Sequence, residues 1–221
     1  MSILNKVFIG LLSGGMLSVV LGIIFIFLTI QTAMKAKALK KRRSKNKKKN
    51  KKIKRDIRQL KKKKAKSRLN SILLLILGSV LIASAFYTRF YQQTTLNEND
   101  GEIIVQSYFL VDSIEKDIKG IQNGANPEKT QEKLRTMTTM MASYGNSTPS
   151  GMLTLDRQRI LRKYYSGILE LGMNLNRQTA KNMGEPEIIE EYLADIVKLK
   201  DGQQKIFKLF KVNEAALKQK R

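Results

Sequence analysis

Residues 35–68 read KAKALKKRRSKNKKKNKKIKRDIRQLKKKKAKSR. This segment holds twenty-one Lys and Arg residues and a single acid, Asp56. The segments on either side of it, 7–34 and 69–88, contain no charged side chain. Each is long enough to cross a hydrocarbon core of about 30 Å at about 1.5 Å per residue. A basic segment between two bilayer-length apolar segments predicts a two-helix transmembrane hairpin whose basic loop is cytoplasmic.

This pattern divides the chain into five parts. They are a short extracytoplasmic tail at 1–6, transmembrane helix 1 at 7–34, a polybasic cytoplasmic loop at 35–68, transmembrane helix 2 at 69–91 and an extracytoplasmic domain at 92–221. Opposite the loop, the basic side chains close to the spans are Lys6 and Arg89, so the positive-inside rule predicts both termini outside. The predicted location is a bacterial cell membrane.

A cleaved signal peptide is the competing interpretation of the first apolar segment. Such a peptide has an apolar core of about 7–15 residues and ends at a cleavage site between small residues. The segment 7–34 is longer and continues directly into Lys35. The length therefore favours a helix that stays in the membrane.

The net charge of +24 belongs almost entirely to the loop, because the other twenty-one basic residues are balanced by seventeen acids. The global charge therefore does not predict a nucleic-acid-binding fold. The chain contains no Cys and no His. This composition excludes a thiolate nucleophile, a thiolate metal site and the commonest transition-metal ligand. We expect a protein that is not an enzyme and that holds no cofactor and no metal.

Small residues recur along both apolar segments. In the first they fall at every fourth position: Gly10, Gly14, Ser18 and Gly22. In the second they fall at every seventh position: Ser71, Gly78 and Ala85. Small residues let helix backbones approach closely in lipid. The pattern predicts helix packing, either of the two segments on each other or with a second copy or another membrane protein. Because neither segment carries a charge, a channel or transporter is not indicated.

The basic loop is rich in helix formers and has no Pro or Gly. We expect helix 1 to continue to about Arg43, a turn at 44–50 and a returning helix from about Lys51. Eight side chains are candidates for contact with anionic lipid head groups: Lys40, Lys41, Arg42, Arg43, Lys61, Lys62, Lys63 and Lys64. An acidic cytoplasmic protein is an alternative partner. Nucleic acid is disfavoured because the segment lacks interleaved aromatic residues for base stacking.

The domain at 92–221 has apolar residues at helical spacing. Its punctuation predicts four helices: from about Glu102 to Gln122, from Asn126–Pro127 to Gly145, from about Thr154 to before Gly184, and from Pro186 into a basic tail with a kink at Asp201–Gly202. The predicted architecture is an antiparallel helical bundle, so the whole chain is expected to be all-α. A mobile loop is predicted at 145–151.

The acids at the start of the last predicted helix are Glu185, Glu187, Glu190, Glu191 and Asp195. Paired carboxylates bind hard cations or share a proton, but acids at a helix N-terminus also complement the helix dipole, and this second interpretation is favoured. Four side chains are candidates for binding a partner: Met137, Met141, Tyr164 and Tyr165. Met and Tyr give adaptable contact surfaces, but residues at this spacing more often form a helix-bundle core, and the core interpretation is favoured.

Two functional hypotheses follow. In the first, the hairpin displays an extracytoplasmic interaction domain that binds another envelope or secreted protein. The protein would be an accessory subunit of an envelope or secretion assembly, or a membrane-bound immunity protein. In the second, the chain organises the membrane surface, and the polybasic loop recruits anionic lipid, an acidic protein or nucleic acid.

Overall fold

The computed structural model describes residues 3–41 and 47–219, and every regular element within these ranges is an α-helix. The helices are α1 Ile3–Lys41, α2 Lys47–Thr94, α3 Glu98–Gln122, α4 Pro127–Gly145, α5 Leu155–Asn176, α6 Ala180–Met183, α7 Pro186–Phe210 and α8 Glu214–Lys218. The predicted all-α class is confirmed. The chain forms two compact units, Met1–Tyr91 and Gln92–Arg221.

The first unit contains two helices that are long and apolar enough to cross a membrane. Helix α1 has 39 residues and α2 has 48. Their large apolar side chains point outward: Leu17, Phe27 and Ile76 keep 62%, 58% and 58% of their surface exposed. A core helix of a soluble protein buries such side chains. The outward apolar surface is the one that a helix pair needs in lipid.

The predicted turn at 44–50 falls partly outside the described residues. Helix α1 is described to Lys41, and residues 42–46 are not described. The returning helix α2 begins at Lys47, four residues before the predicted start at Lys51. The earlier start is physically reasonable because Lys47–Asn50 contains no helix-breaking residue.

Helices α1 and α2 pack antiparallel over the length of the apolar segments. The Ser67 hydroxyl donates to the Phe25 carbonyl at 3.1 Å, and the Ser71 hydroxyl donates to the Gly22 carbonyl at 3.1 Å. Further along, a Cβ built on Gly78 would lie 3.0 Å from the carbonyl oxygen of Gly15. The contact partners on α1 therefore move towards its N-terminus as α2 proceeds towards its C-terminus, as in an antiparallel pair.

In the second unit, two helix ends are set by local sequence. The Asn97 side chain accepts a hydrogen bond from the Asp100 amide at 2.7 Å, so α3 begins at Glu98 rather than at the predicted Glu102. Gly124 has φ of 93°, a value that L side chains rarely adopt, and this glycine follows the end of α3. Helix α4 keeps its predicted bounds, with Asn126 as N-cap.

The later helices differ from the predicted ones. Helix α5 ends at Asn176, and the short helix α6 follows it, so the predicted single helix up to Gly184 is wrong. Thr179 caps α6 by accepting from the Asn182 amide. Helix α7 runs through Asp201–Gly202 as one element. The tail beyond it forms α8, whose Leu217 is buried.

The four long helices of this unit pack around one core. The apolar residues that the helical spacing singles out are buried, including Ile104, Val111, Ile114, Ile118, Leu161, Ile168, Ile196 and Ile206. Helices α4 and α5 approach most closely: a Cβ on Gly145 would lie 2.5 Å from the Leu169 amide nitrogen, and one on Gly172 would lie 2.8 Å from the Thr138 carbonyl oxygen. The backbones of α4 and α5 are thus in direct contact.

Candidate functional site

Six of the eight predicted lipid-contact residues are described, and they lie on the parts of α1 and α2 that extend beyond the apolar segments. Lys40 and Lys41 form the last turn of α1 and are exposed, and so are the four lysines at 61–64 of α2. Arg42 and Arg43 lie outside the described residues. Four consecutive helical residues point in four directions about 100° apart, so these lysines surround α2 rather than forming one face.

One of them, Lys63, faces α1. It lines two neighbouring clefts between the helices, with volumes of about 300 and about 630 Å³. The smaller cleft lies where the apolar segments give way to the basic ones. It is lined by Phe25, Leu28, Gln31, Thr32, Lys35, Lys63, Lys66, Ser67 and Asn70. Lys35 and Lys63 also line the larger cleft, together with Asp56. The sequence prediction included Lys63 but missed Lys35 and Lys66.

The predicted stripe of small residues on α1 is only partly the packing face of the hairpin. Gly22 is tightly packed, and a Cβ there would lie 2.9 Å from the Leu75 side chain. At Gly10 a Cβ would meet nothing within 4 Å, and at Gly14 it would lie 3.9 Å from the Leu81 side chain. Ser18 is half-buried and donates to the carbonyl of its own helix at Gly14, 2.9 Å away.

The face that contacts α2 follows heptad spacing instead. Gly15, seven residues before Gly22, would bring a Cβ to 2.7 Å from the Ile82 side chain. Residues seven apart on a helix differ by only about 20° in direction, whereas each step of four rotates by about 40°. The stripe from Gly10 to Gly22 therefore winds about 120° around α1 and leaves the contact face.

Three of the four candidate partner-binding residues belong to the core. Met141, Tyr164 and Tyr165 are 0%, 4% and 1% exposed, so they offer no surface to a partner, and these assignments are corrected. Met137 is half-buried and packs against the same core. The exposed methionine of that stretch is Met140, at 42%.

A buried polar cluster joins α3, α5, α7 and the 145–151 loop. The Tyr165 hydroxyl donates to Asp100 Oδ1 at 2.9 Å, and the Ser150 amide donates to Asp100 Oδ2 at 3.0 Å. The Tyr164 hydroxyl lies 2.9 Å from the Ser107 hydroxyl and accepts from the Gln203 side-chain amide at 2.7 Å. The polar atoms of these buried groups thus bond to one another, as burial requires.

The environment of this cluster keeps both tyrosines protonated. Burial raises the pKa of Tyr164 to about 12, although its bonds to Ser107 and Gln203 act in the opposite direction. Burial also raises the pKa of Tyr165, and the nearby Asp100 carboxylate raises it further. At neutral pH both tyrosines are therefore neutral hydroxyls within the buried hydrogen bonds.

The predicted mobile loop at 145–151 is bonded to the start of α3 through Ser150, and the residues that follow the loop make further contacts. Besides the Ser150–Asp100 bond, the Thr154 amide donates to the Gln93 carbonyl at 3.3 Å. Arg157 donates to the Thr94 carbonyl and stacks 5.2 Å from the centre of the Phe210 ring. Gln93 and Thr94 are the last residues of α2 and belong to the second unit. The start of α5, which follows the loop, is therefore bonded to the first residues of this unit.

The acids at the start of α7 are exposed or half-buried. A separate group of charged side chains lies between α3 and α7. Asp195 pairs with Lys198 at 3.0 Å. Lys200 reaches α3, where it pairs with Glu115 and with Asp112 at 3.4 Å. Among the described residues, no group of three or more acidic side chains is placed to hold a metal ion.

Glu115 is the centre of the charge cluster between α3 and α7. Partial burial acts to raise the pKa of its carboxyl, but hydrogen bonds and charge from Lys119 and Lys200 outweigh burial and lower that pKa. Lys119 lies 2.8 Å from it on the next turn of α3. The cluster fixes α7 against α3.

Sequence reasoning missed Asp100, the most buried carboxylate described, at 0% exposure. Its signal was the spacing Asn97-x-x-Asp100, which is typical of a helix start, but nothing in the sequence links it to Tyr165. No family model, no curated protein and no solved structure matches this chain. In the described residues, the features on which a functional proposal can rest are an outward apolar surface, a lysine-lined cleft and a helical unit whose buried polar side chains bond to one another.

Proposed function

We propose that this chain is an integral membrane protein in which α1 and α2 both cross the bilayer. The observation that carries this proposal is the outward exposure of large apolar side chains over two charge-free segments that pack on each other. In water an apolar surface of this extent would promote aggregation, whereas in lipid its exposure carries no unfavourable free energy.

The lysine-rich ends of α1 and α2 lie on the cytoplasmic side in this proposal. Twenty-one basic residues between the two apolar segments outweigh Lys6 and Arg89 on the other side. Basic residues close to a span are retained in the cytoplasm. Residues 92–221 are then extracytoplasmic.

The second unit serves as a non-enzymatic protein-interaction module on the outer face. Its buried polar side chains bond to one another, which suits a stable scaffold more than a reactive centre. Its exposed apolar side chains are candidates for the contact surface: Met140, Met152, Leu155, Ile160, Met173 and Val197. The partner is another envelope or secreted protein, and the role is that of an accessory subunit or of an immunity protein. A second copy of the chain is an alternative partner.

The second candidate function is that of a membrane-surface organiser acting through the basic loop. The specific observation in its favour is the cleft at Lys35, Lys63 and Lys66, which gathers cations between two helices. Neutralising half of the loop lysines separates the two functions, provided that insertion is unchanged. The first function survives this change, and the second is lost.

In-cell photo-crosslinking tests the interaction module. Probes replace Met140 and Met173, which are 42% and 39% exposed, and a matched control probe replaces the exposed Glu128, about three turns before Met140 on α4. A discrete protein adduct from Met140 or Met173, and not from Glu128, supports the module. Adducts only with lipid or with the chain itself, from correctly inserted protein, contradict it.

A further inference from the structure

The smaller cleft of the hairpin combines three features along its length. Its base is apolar, with Phe25 and Leu28 of α1. Its wall carries neutral hydrogen-bonding side chains, namely Gln31, Thr32, Ser67 and Asn70. Its rim carries three ammonium groups, Lys35 from α1 and Lys63 and Lys66 from α2. No carboxylate belongs to this lining.

The lining residues recur at helical spacing, so the cleft is built from two facing stripes. On α1 they run from Phe25 to Lys35, and on α2 from Asn70 back to Lys63. The Ser67 hydroxyl donates to the Phe25 carbonyl, which holds the two helices together at the apolar base. From base to rim the lining of α1 is thus apolar, then neutral polar, then cationic, and the lining of α2 is neutral polar, then cationic.

This order matches the order of groups in a phospholipid at the membrane surface. Ammonium groups and side-chain amides or hydroxyls bind phosphate oxygens, and the nearby apolar side chains contact the first part of an acyl chain. Lysines bind phosphate as point charges, so three from two helices can surround one head group without a fixed fork geometry. A volume of about 300 Å³ accommodates a phosphate and a glycerol-sized group.

We propose that this cleft is a binding site for one anionic phospholipid, with the phosphate between Lys35, Lys63 and Lys66 and the acyl chain against Phe25 and Leu28. The inference rests on the proposed membrane insertion of α1 and α2. It differs from a general attraction of the basic loop to anionic lipid because it assigns one stoichiometric site to three of the lysines. The remaining loop lysines contribute only diffuse attraction.

Native mass spectrometry of the full chain tests this site. The protein is reconstituted into vesicles of equal parts phosphatidylglycerol and phosphatidylcholine and then released in mild detergent. The cleft variant carries Lys35→Gln, Lys63→Gln and Lys66→Gln. The control variant carries Lys51→Gln, Lys52→Gln and Lys54→Gln, which remove the same charge from positions outside the lining of both clefts.

The unaltered chain is expected to retain one phosphatidylglycerol in preference to phosphatidylcholine. The cleft variant should lose this preference at least about tenfold, and the control variant should keep it. Equal loss in both variants contradicts the site and leaves only diffuse attraction. Displacement of the lipid by soluble glycerol phosphate also contradicts it, because a lipid held partly through its acyl chain resists such a competitor.

Membrane insertion is scored separately by extraction of the same membranes with alkaline carbonate. A chain that is extracted by carbonate contradicts the proposed membrane protein itself. A chain that stays in the membrane and retains no phosphatidylglycerol contradicts only the lipid site. Circular dichroism of both variants checks that their helix content is the same.

Discussion

The hydroxyl of Tyr165 donates a 2.9 Å hydrogen bond to the carboxylate of Asp100, and the two residues are 65 positions apart in the chain. Asp100 is 0% exposed and Tyr165 is 1% exposed. The other carboxylate oxygen accepts from the Ser150 amide. This one acid therefore links the start of α3, the middle of α5 and the loop before α5.

The first prediction concerns this link. Tyr165→Phe removes one of the two donors described for the buried carboxylate and should lower the free energy of unfolding by about 1–3 kcal/mol. Tyr144→Phe makes the same chemical change on a half-buried ring and should cost less than about 1 kcal/mol. Guanidinium unfolding of the full chain in mild detergent, followed by the near-ultraviolet circular dichroism of tyrosine, measures both. Equal losses in the two variants would show that the Asp100 bond is energetically unimportant.

The second prediction concerns alkaline pH. The pKa of Tyr164 is raised to about 12 in the folded chain, so its contribution to stability is complete below the unfolded pKa of about 10. That contribution is lost as the pH rises from about 10 towards 12, and Tyr165 acts in the same direction. Ultraviolet titration of tyrosinate should show at least two of the seven tyrosines ionising late, together with unfolding of the second unit. Ionisation of all seven near pH 10 without unfolding would contradict the buried cluster.

The third prediction concerns the contact of α4 with α5. Gly145→Ala would place a Cβ 2.5 Å from the Leu169 amide nitrogen, so the backbones must separate, at a cost of about 1–3 kcal/mol. Gly101→Ala is the matched control, because a Cβ there meets nothing within 4 Å. Gly101 lies in the first turn of α3, where that change should be neutral or stabilise by up to about 1 kcal/mol. The same unfolding measurement decides, and a neutral Gly145→Ala would mean that the two helices are not in backbone contact.

The fourth prediction concerns the hairpin. Gly78→Ile would force a side chain against Gly15 and Val19, whereas Gly10→Ile meets open space. Energy transfer between dyes on Asn5→Cys and Phe90→Cys reports the separation of the two helix ends, since Arg89 lies 6.0 Å from the Phe8 ring. Transfer should fall with Gly78→Ile and stay unchanged with Gly10→Ile. If energy transfer fell with Gly10→Ile alone, the face of α1 that packs on α2 would be the stripe of Gly10, Gly14, Ser18 and Gly22, and the heptad-spaced packing face would be wrong.

Helix content and the apolar core could be predicted from the sequence because both depend on local spacing. Asn126 followed by Pro127 marks the start of α4, and Gly124 marks the end of α3, since caps and positive φ act within a few residues. The end of α5 at Asn176 could not be predicted. The sequence has no glycine or proline at this point to mark the helix end. Just beyond it, the Gln178 side-chain amide donates to the Tyr192 hydroxyl of α7 at 2.7 Å, a contact that the sequence does not reveal.

Contacts between residues far apart in the chain could not be predicted either, because they depend on how the helices pack and not on local spacing. Met141, Tyr164 and Tyr165 have side chains that suit a surface as well as the favoured core, and only the packing of α4 and α5 against their neighbours decides. The cleft lysines illustrate a related limit. Lys63 differs from Lys62 and Lys64 only in its direction around α2, which depends on the register of the hairpin.

The most direct test of the membrane topology uses the absence of Cys from the chain. Two single-cysteine variants, Gln59→Cys in the basic part of α2 and Ser143→Cys on α4, place exposed thiols in the two units. A membrane-impermeant maleimide is applied to intact cells and, separately, to lysed cells. We expect Ser143→Cys to be labelled in intact cells and Gln59→Cys to be labelled only after lysis. Labelling of Gln59→Cys in intact cells, or protection of Ser143→Cys until lysis, would contradict it.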